Sequence, residues 1–200
     1  MNDPLTKAER TRQFIIETTA PIFNKKGYAG TSMADLTEAT KLTKGSFYGN
    51  FENKEQVALA VFDFNLGKVS KAIQLRVQQA GTFRDKLGVY AQAYRDFVRT
   101  AHLEGGCPIL NTAIDADDTN PLLKEKAAKA VLKWKKNVMD LIQGGIQAGE
   151  FKPDIDQHQM ALSMIALIEG GMMISQVTNN TGNLDKVLKT VELLIDMMKA

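Results

Sequence analysis

Apolar residues recur at spacings of three and four along nearly all of this 200-residue chain. That period admits an all-α fold and little else. No run of alternating apolar and polar residues, bounded by turns, marks a strand. A first helix is expected over 6–26, with Ile15, Thr19, Ile22, Phe14 and Phe23 on its buried stripe and Pro21 kinking it. Gly27 should end it as a left-handed cap. Two short elements follow, one over 32–39 and one from Thr43 to Gly49.

Beyond Lys54 the helices become long and amphipathic. Leu59, Phe62, Leu66, Val69, Ile73 and Val77 stripe a helix that Asn53 should cap, with Gln56 in the reciprocal position. Leu87, Tyr90, Tyr94, Phe97 and Ala101 stripe the next. Pro108 and Pro121 each stand at a favoured first helical position. Leu123, Ala127, Val131, Trp134, Val138 and Leu141 share one face after Pro121. Two more helices, over 157–179 and 184–199, bring the total to about nine. The composition shifts near Lys54 and divides the sequence into an N-terminal domain, 1–53, and a larger helical domain, 54–200.

Composition excludes several classes. The single cysteine, Cys107, cannot form an intrachain disulfide and fits a reducing compartment. His102 and His158 stand apart with no ligand spacing, so neither metal nor cofactor is expected. There is no Gly-x-Ser-x-Gly, P-loop or dinucleotide fingerprint, which argues against an enzyme. The N-terminus is polar and lacks a signal-type apolar core, and the apolar stretch from Met160 to Ile174 is judged too short to span a bilayer. A cytoplasmic protein without membrane contact is therefore expected. The acidic run from Asp115 to Asp118 reads as a solvated loop with helix-capping duty.

The segment from Thr31 to Phe51 is the most informative. Ser32 and Asp35 form a capping pair, and four residues, Thr40 to Thr43, separate the two short helices, which is helix-turn-helix spacing. Turning Leu36, Leu42, Phe47 and Phe51 inward leaves Thr43, Lys44, Gly45, Ser46, Tyr48 and Asn50 outward. Such a short rod fits a DNA groove. Gly45 permits close backbone approach, Lys44 can reach a phosphate or a guanine edge, Ser46 and Asn50 can read base edges, and Tyr48 can reach phosphate. Ser32 and Lys54 extend the candidate contact set. Residues 1–55 carry 8 Lys/Arg and 7 Asp/Glu, so the argument rests on placement and not on bulk charge.

These residues closely resemble the N-terminal domain of the TetR/AcrR family of bacterial transcription regulators. The likeness runs in order through Phe23-Asn24-Lys25-Lys26-Gly27-Tyr28, Thr31-Ser32-Met33, Leu36, Lys44-Gly45-Ser46-Phe47-Tyr48, Phe51 and Asn53-Lys54-Glu55. The resemblance implies a homodimeric repressor that a small-molecule inducer releases from a double-stranded DNA operator. On it, Thr43, Lys44, Gly45, Ser46 and Tyr48 match the recognition helix and Lys54 a phosphate contact. The sequence departs from the pattern in two places. Lys41 stands where the turn usually has Gly, and Gly49 and Asn50 stand where aromatic or imidazole side chains are common, so that Gly49 removes one possible base-reading side chain.

The larger domain suggests how such a protein would assemble and respond. The helix from Gln157 is apolar on nearly every face, so a second copy of the chain is expected to cover part of it. Leu162, Ile165 and Gly170, with Leu188, Val191 and Ile195 of a coiled-coil-like last helix, form the expected dimer interface. Two reading heads on a palindrome then lie about 34–36 Å apart. The helix from Lys54 is the natural lever between the domains. Phe62, Leu66, Tyr90, Tyr94, Phe97, Cys107, Trp134, Met139 and Met164 are candidate inducer contacts, with plain core packing as the competing reading. Cys107, placed before a helix start, reads either as an electrophile or oxidant sensor or as a packed, inert thiol. Glu169 reads either as a counter-ion for a cationic ligand or as a partner across the dimer. A helical small-molecule-binding protein that does not touch DNA is the reading from another class.

Overall fold

In a computed structural model that describes residues 6–100 and 105–200, side-chain caps set most helix boundaries. Among the described residues there are nine helices and one isolated antiparallel bridge, Phe151 with Lys199. Thr6 and Glu9 form a capping box that starts α1, Lys7–Lys26. Ser32 and Asp35 do the same for α2, Met33–Thr40. Thr43 accepts from the Ser46 N–H to start α3, Lys44–Tyr48. Asn53 caps α4, Lys54–Gln79, by accepting from the Gln56 N–H at 2.9 Å, while Gln56 returns to the Glu52 N–H at 3.2 Å. Then follow α5, Phe83–Arg99; α6, Pro108–Ala116; α7, Pro121–Gln147; α8, Gln157–Val177; and α9, Thr181–Met197. The expected positions Ala101 and His102 lie outside the described residues.

Packing divides the chain into two compact units, Met1–Lys68 with Pro108–Ala128, and Val69–Cys107 with Lys129–Ala200. The division differs from a partition at residue 53, because α4 and α7 each contribute to both units.

In the first unit, Ile15, Thr19, Ala20 and Phe23 of α1 are buried, with Leu36, Phe47 and Phe51. Phe14, expected in the core, is exposed, because the buried face of α1 runs through Ile15 and Thr19 instead. Thr19 tolerates burial by donating its hydroxyl to the Ile15 carbonyl at 2.8 Å. Gly27 ends α1 with φ 71° and ψ 178°, a positive-φ state other than the expected left-handed one. A β-carbon there would collide with the Asp115 carboxylate. Asp115 is thus no solvated loop residue. It accepts from the Tyr28 N–H, and Asn111 donates to the Asn24 carbonyl at 3.0 Å, so α6 is tied to the end of α1.

In the second unit, α9 packs on α5 and α8. Leu184, Leu188, Val191 and Ile195 are all buried in these contacts. Arg95 reinforces the α5–α9 seam by pairing with Asp185 and Glu192, and Arg84 pairs with Asp196. Leu188, Val191 and Ile195 are therefore core of their own chain and not the expected dimer contacts. Leu162 is 50% exposed, whereas Ile165 is buried. At 21 residues, α8 is longer than the apolar stretch read from sequence, and its length and composition would suffice to cross a membrane. Its burial is periodic, through Ala161, Met164, Ile165, Ile168, Gly171, Met172 and Ser175, so it is covered on one face and not all round.

Candidate nucleic-acid interface and ligand cluster

The turn between α2 and α3 is tight because Lys41 adopts the left-handed conformation, φ 56° and ψ 21°. This is the position where Gly would meet less resistance. Thr40 donates its hydroxyl to the Leu36 carbonyl and holds the end of α2. From below, Phe47 is fully buried and lies 6.2 Å from Phe51, ring centre to ring centre. Leu42 is half-buried beside the turn. The five-residue α3 thus has one apolar side and one free side.

Thr43, Lys44, Gly45, Ser46 and Tyr48 are placed away from the core, with Lys44, Gly45, Ser46 and Tyr48 exposed, Tyr48 by 49%, and Thr43 exposed at the start of the rod. A β-carbon at Gly45 would meet nothing within 4 Å, so the approach to the backbone is open there. Ser32 is exposed too, but its hydroxyl is engaged with Asp35. Lys26 holds Asp35 at 2.6 Å, and this bond, with those from Ser32, keeps the half-buried Asp35 carboxyl well below the usual range.

Asn50 and Lys54 differ from their expected roles. The Asn50 amide turns back on its own helix, donating to the Ser46 carbonyl at 2.9 Å. The Lys54 ammonium donates to the Tyr28 carbonyl at 2.8 Å and the Thr31 carbonyl at 2.9 Å, and sits 4.1 Å from the Tyr28 ring centre. Two of its three N–H bonds are thus spent on holding the loop before α2. Arg12, which sequence reasoning missed, braces the other end of the unit. Its guanidinium lies 3.9 Å from the Phe51 ring centre and donates to the Asn50 carbonyl at 2.6 Å. The signal was an Arg in α1 with an aromatic residue beyond the end of the reading helix, yet their pairing across 38 positions has no local sequence mark.

The nine candidate inducer contacts are split between the units. Phe62 and Leu66 belong to the first. There Phe62 lines a small cleft of about 30 Å³ with Asn24, Tyr28, Asn65, Asn111 and Asp115, room for little more than a water. In the second unit, Tyr94 and Tyr90 stack on Trp134 at 5.4 Å and 6.1 Å, and Phe97 meets Tyr94 edge-on at 5.8 Å. Met164 is buried and Met139 half-buried.

Cys107 is buried and donates its S–H to Glu169 Oε1 at 2.9 Å. The Tyr94 hydroxyl lies 3.7 Å from the same sulfur. Burial pushes the Glu169 carboxyl up to about 7 against the opposing Cys107 bond. Burial also raises Tyr94, and Cys107 and Glu169 add to that effect. Glu169 is therefore bonded inside its own chain, which does not match a pair across a dimer. The Cys107 thiol faces a carboxyl group, an environment that opposes the thiolate when that carboxyl is ionised. His158 is exposed.

Two family models match the chain: "Bacterial regulatory proteins, tetR family" over residues 15–61, and "Tetracyclin repressor-like, C-terminal domain" over residues 84–191. A solved TetR-family transcriptional regulator from Cytophaga hutchinsonii is 52% identical, covers 99% of both chains and superposes with a TM-score of 0.94. A TetR transcriptional regulator from Chloroflexus aurantiacus is 35% identical over 98% of both, with a TM-score of 0.92. The HTH-type transcriptional repressor DhaR of a Mycobacterium species is 24% identical over 181 residues, covering 90% of this chain and 89% of its own length.

Proposed function

Since the chain belongs to the tetR family of bacterial regulatory proteins, we propose that it is a homodimeric repressor that a small apolar inducer releases from a palindromic operator. The protein is a ligand-responsive DNA-binding regulator. Within that role, the carrying observation is the free face of α3. Thr43, Lys44, Gly45, Ser46 and Tyr48 stand clear of the protein on a rod whose underside, Phe47, is fully buried. Ser46 and Lys44 supply donors and acceptors for base edges and phosphate, and Tyr48 a phosphate-reaching hydroxyl. Arg12 and Lys54 brace this surface, so a phosphate contact by Lys54 is limited to its remaining N–H.

Dimerisation is supported by an apolar stripe that the chain leaves uncovered. Leu162, Ala166, Met173 and Val177 follow one face of α8, and Leu193 and Met197 lie one turn apart on α9. The inducer reading is supported by the aromatic cluster of Tyr90, Tyr94, Phe97 and Trp134. A shift of α4, which contributes to both units, would change how the two reading heads are spaced. Electrophile sensing by Cys107 is the weaker reading, because the thiol is buried and bonded to a carboxyl group.

The test is selection of bound sequences from random DNA, followed by titration of the selected duplex. Wild type should bind a two-fold-related site, and binding should weaken steeply with salt. The double variant Lys44→Ala with Tyr48→Ala should lose binding about a hundredfold or more while melting as wild type does. An unchanged affinity of that variant, or an asymmetric half-site bound by a monomer, refutes the reading.

A further inference from the structure

Two buried polar atoms among the described residues lack a partner: Trp134 Nε1, a donor, and Glu169 Oε2, an acceptor. Trp134 is only 7% exposed, so water does not reach it freely. Buried polar groups are nearly always hydrogen-bonded, and an orphan calls for an explanation. A single chain of contacts joins the two residues. The Trp134 ring stacks on Tyr94, the Tyr94 hydroxyl lies by Cys107 Sγ, and Cys107 donates to Glu169. Four parts of the chain bring these groups together: α5 supplies Tyr94, α7 supplies Trp134, α8 supplies Glu169, and the segment before α6 supplies Cys107.

The backbone keeps that last segment close to α8. Gly106 has φ 98°, and a β-carbon there would meet the Gln176 amide. Gln176 lies two turns beyond Glu169, on the same side of α8. Among the described residues, however, no basic side chain shifts the ionisation of Glu169. Burial raises the carboxyl and the neutral Cys107 donor lowers it, the two influences that the described residues supply. Among the described residues the cluster is thus a carboxyl group without a counter-ion, next to stacked aromatic rings. Ring faces attract cations electrostatically, and a desolvated carboxylate requires one.

We propose that Glu169, Tyr94 and Trp134 form a binding site for a small organic cation, an arylalkyl amine or quaternary ammonium, with Glu169 Oε2 as its counter-ion. The site lies in the aromatic cluster already assigned to the inducer, so it rests on that reading and adds the charge of the ligand. Apolar body and positive head then divide between the rings and the carboxylate. Cys107 positions that carboxylate and takes no covalent step.

The experiment uses the full chain at pH 8, where Glu169 is mostly ionised. Benzylamine, 2-phenylethylamine and benzyltrimethylammonium are titrated beside benzyl alcohol and phenylacetate, their neutral and anionic congeners. Trp134 is the only tryptophan, so its fluorescence reports the cluster, and a thermal shift provides a second readout. At least one cation should give a saturable change with affinity about tenfold or more above both congeners. Glu169→Gln should remove that preference. No saturable change with any cation, equal binding of the congeners, or a preference that survives Glu169→Gln overturns the proposal. The first of these leaves a bridging water as the occupant of the two orphan atoms. Release of the selected duplex, measured separately, isolates the inducer reading. A neutral congener that releases DNA removes only the charge preference, whereas a Glu169-dependent cation that releases none removes only the inducer role.

Discussion

Replacing Glu169 by Gln should make the protein more stable at pH 8 and flatten its loss of stability with rising pH. In the folded chain burial moves this carboxyl from 4.5 to about 7. An acid whose folded value is raised binds its proton more tightly folded than unfolded. Its contribution is intact below pH 4.5 and is lost as pH rises through the window up to about 7. The full displacement corresponds to about 3 kcal/mol, of which about 2.5 kcal/mol falls between pH 5 and pH 8. Water entry and relaxation around the ionised group reduce that figure, so about 1 kcal/mol is the least that the burial requires. Glutamine keeps an acceptor for the Cys107 S–H and has no proton to lose. Urea unfolding of both proteins at pH 5 and pH 8, at one fixed protein concentration, gives the comparison. At a slope of about 2 kcal/mol per molar urea, the wild-type midpoint should fall by about 0.5–1.2 M more than that of the variant. Groups common to both proteins cancel in the difference. Equal pH slopes for the two proteins would refute the claim that this carboxyl is buried without a counter-charge.

Two other substitutions test separate parts of the structure. Asp115→Ala removes the acceptor of the Tyr28 N–H, so the Tyr28 amide should lose protection against hydrogen exchange and the first unit should lose about 1–3 kcal/mol, seen by urea unfolding. Unchanged exchange at Tyr28 would show that the tie between α6 and the end of α1 contributes nothing. Leu162→Glu with Val177→Glu places charge on the uncovered stripe of α8 and should convert dimer to monomer in light scattering, with melting of the monomer lowered but helix content retained. A dimer that survives both charges would put the interface elsewhere.

How much of this is legible in the sequence depends on the range of each signal. Caps are local, and Thr6, Ser32, Thr43 and Asn53 all start helices within a residue or so of where spacing places them. The inward set of Leu36, Phe47 and Phe51 follows from the period of α2 and α3, and the exposed face of α3 follows from it in turn. Lys54 and Asn50 escape sequence reasoning for one reason. A polar side chain beside a functional surface has two sorts of partner, and only the fold reveals that backbone carbonyls come first. Asp115 is hidden in an acidic run that resembles solvated loop, because its partner, the Tyr28 amide, lies 87 residues away.

The last helix shows a different limit. Its stripe of Leu184, Leu188, Val191 and Ile195 is apolar and buried, as its period requires, yet the surface that covers it belongs to the same chain and not to a second one. Periodicity states that a face must leave water and is silent on what removes it. Here α5 and α8 do so within the chain, with Arg95 bridging to Asp185 and Glu192 across the seam. Because α9 takes up one side of α8, the apolar residues left over on α8, Leu162, Met173 and Val177, become the surface that a second copy would cover. Val177 is 80% exposed and Leu162 50%, which supports placing the proposed interface there. The proposed dimer interface therefore lies on the other face of α8. That face belongs to a helix that is apolar on nearly every side, the feature of the sequence on which the proposed second copy rests.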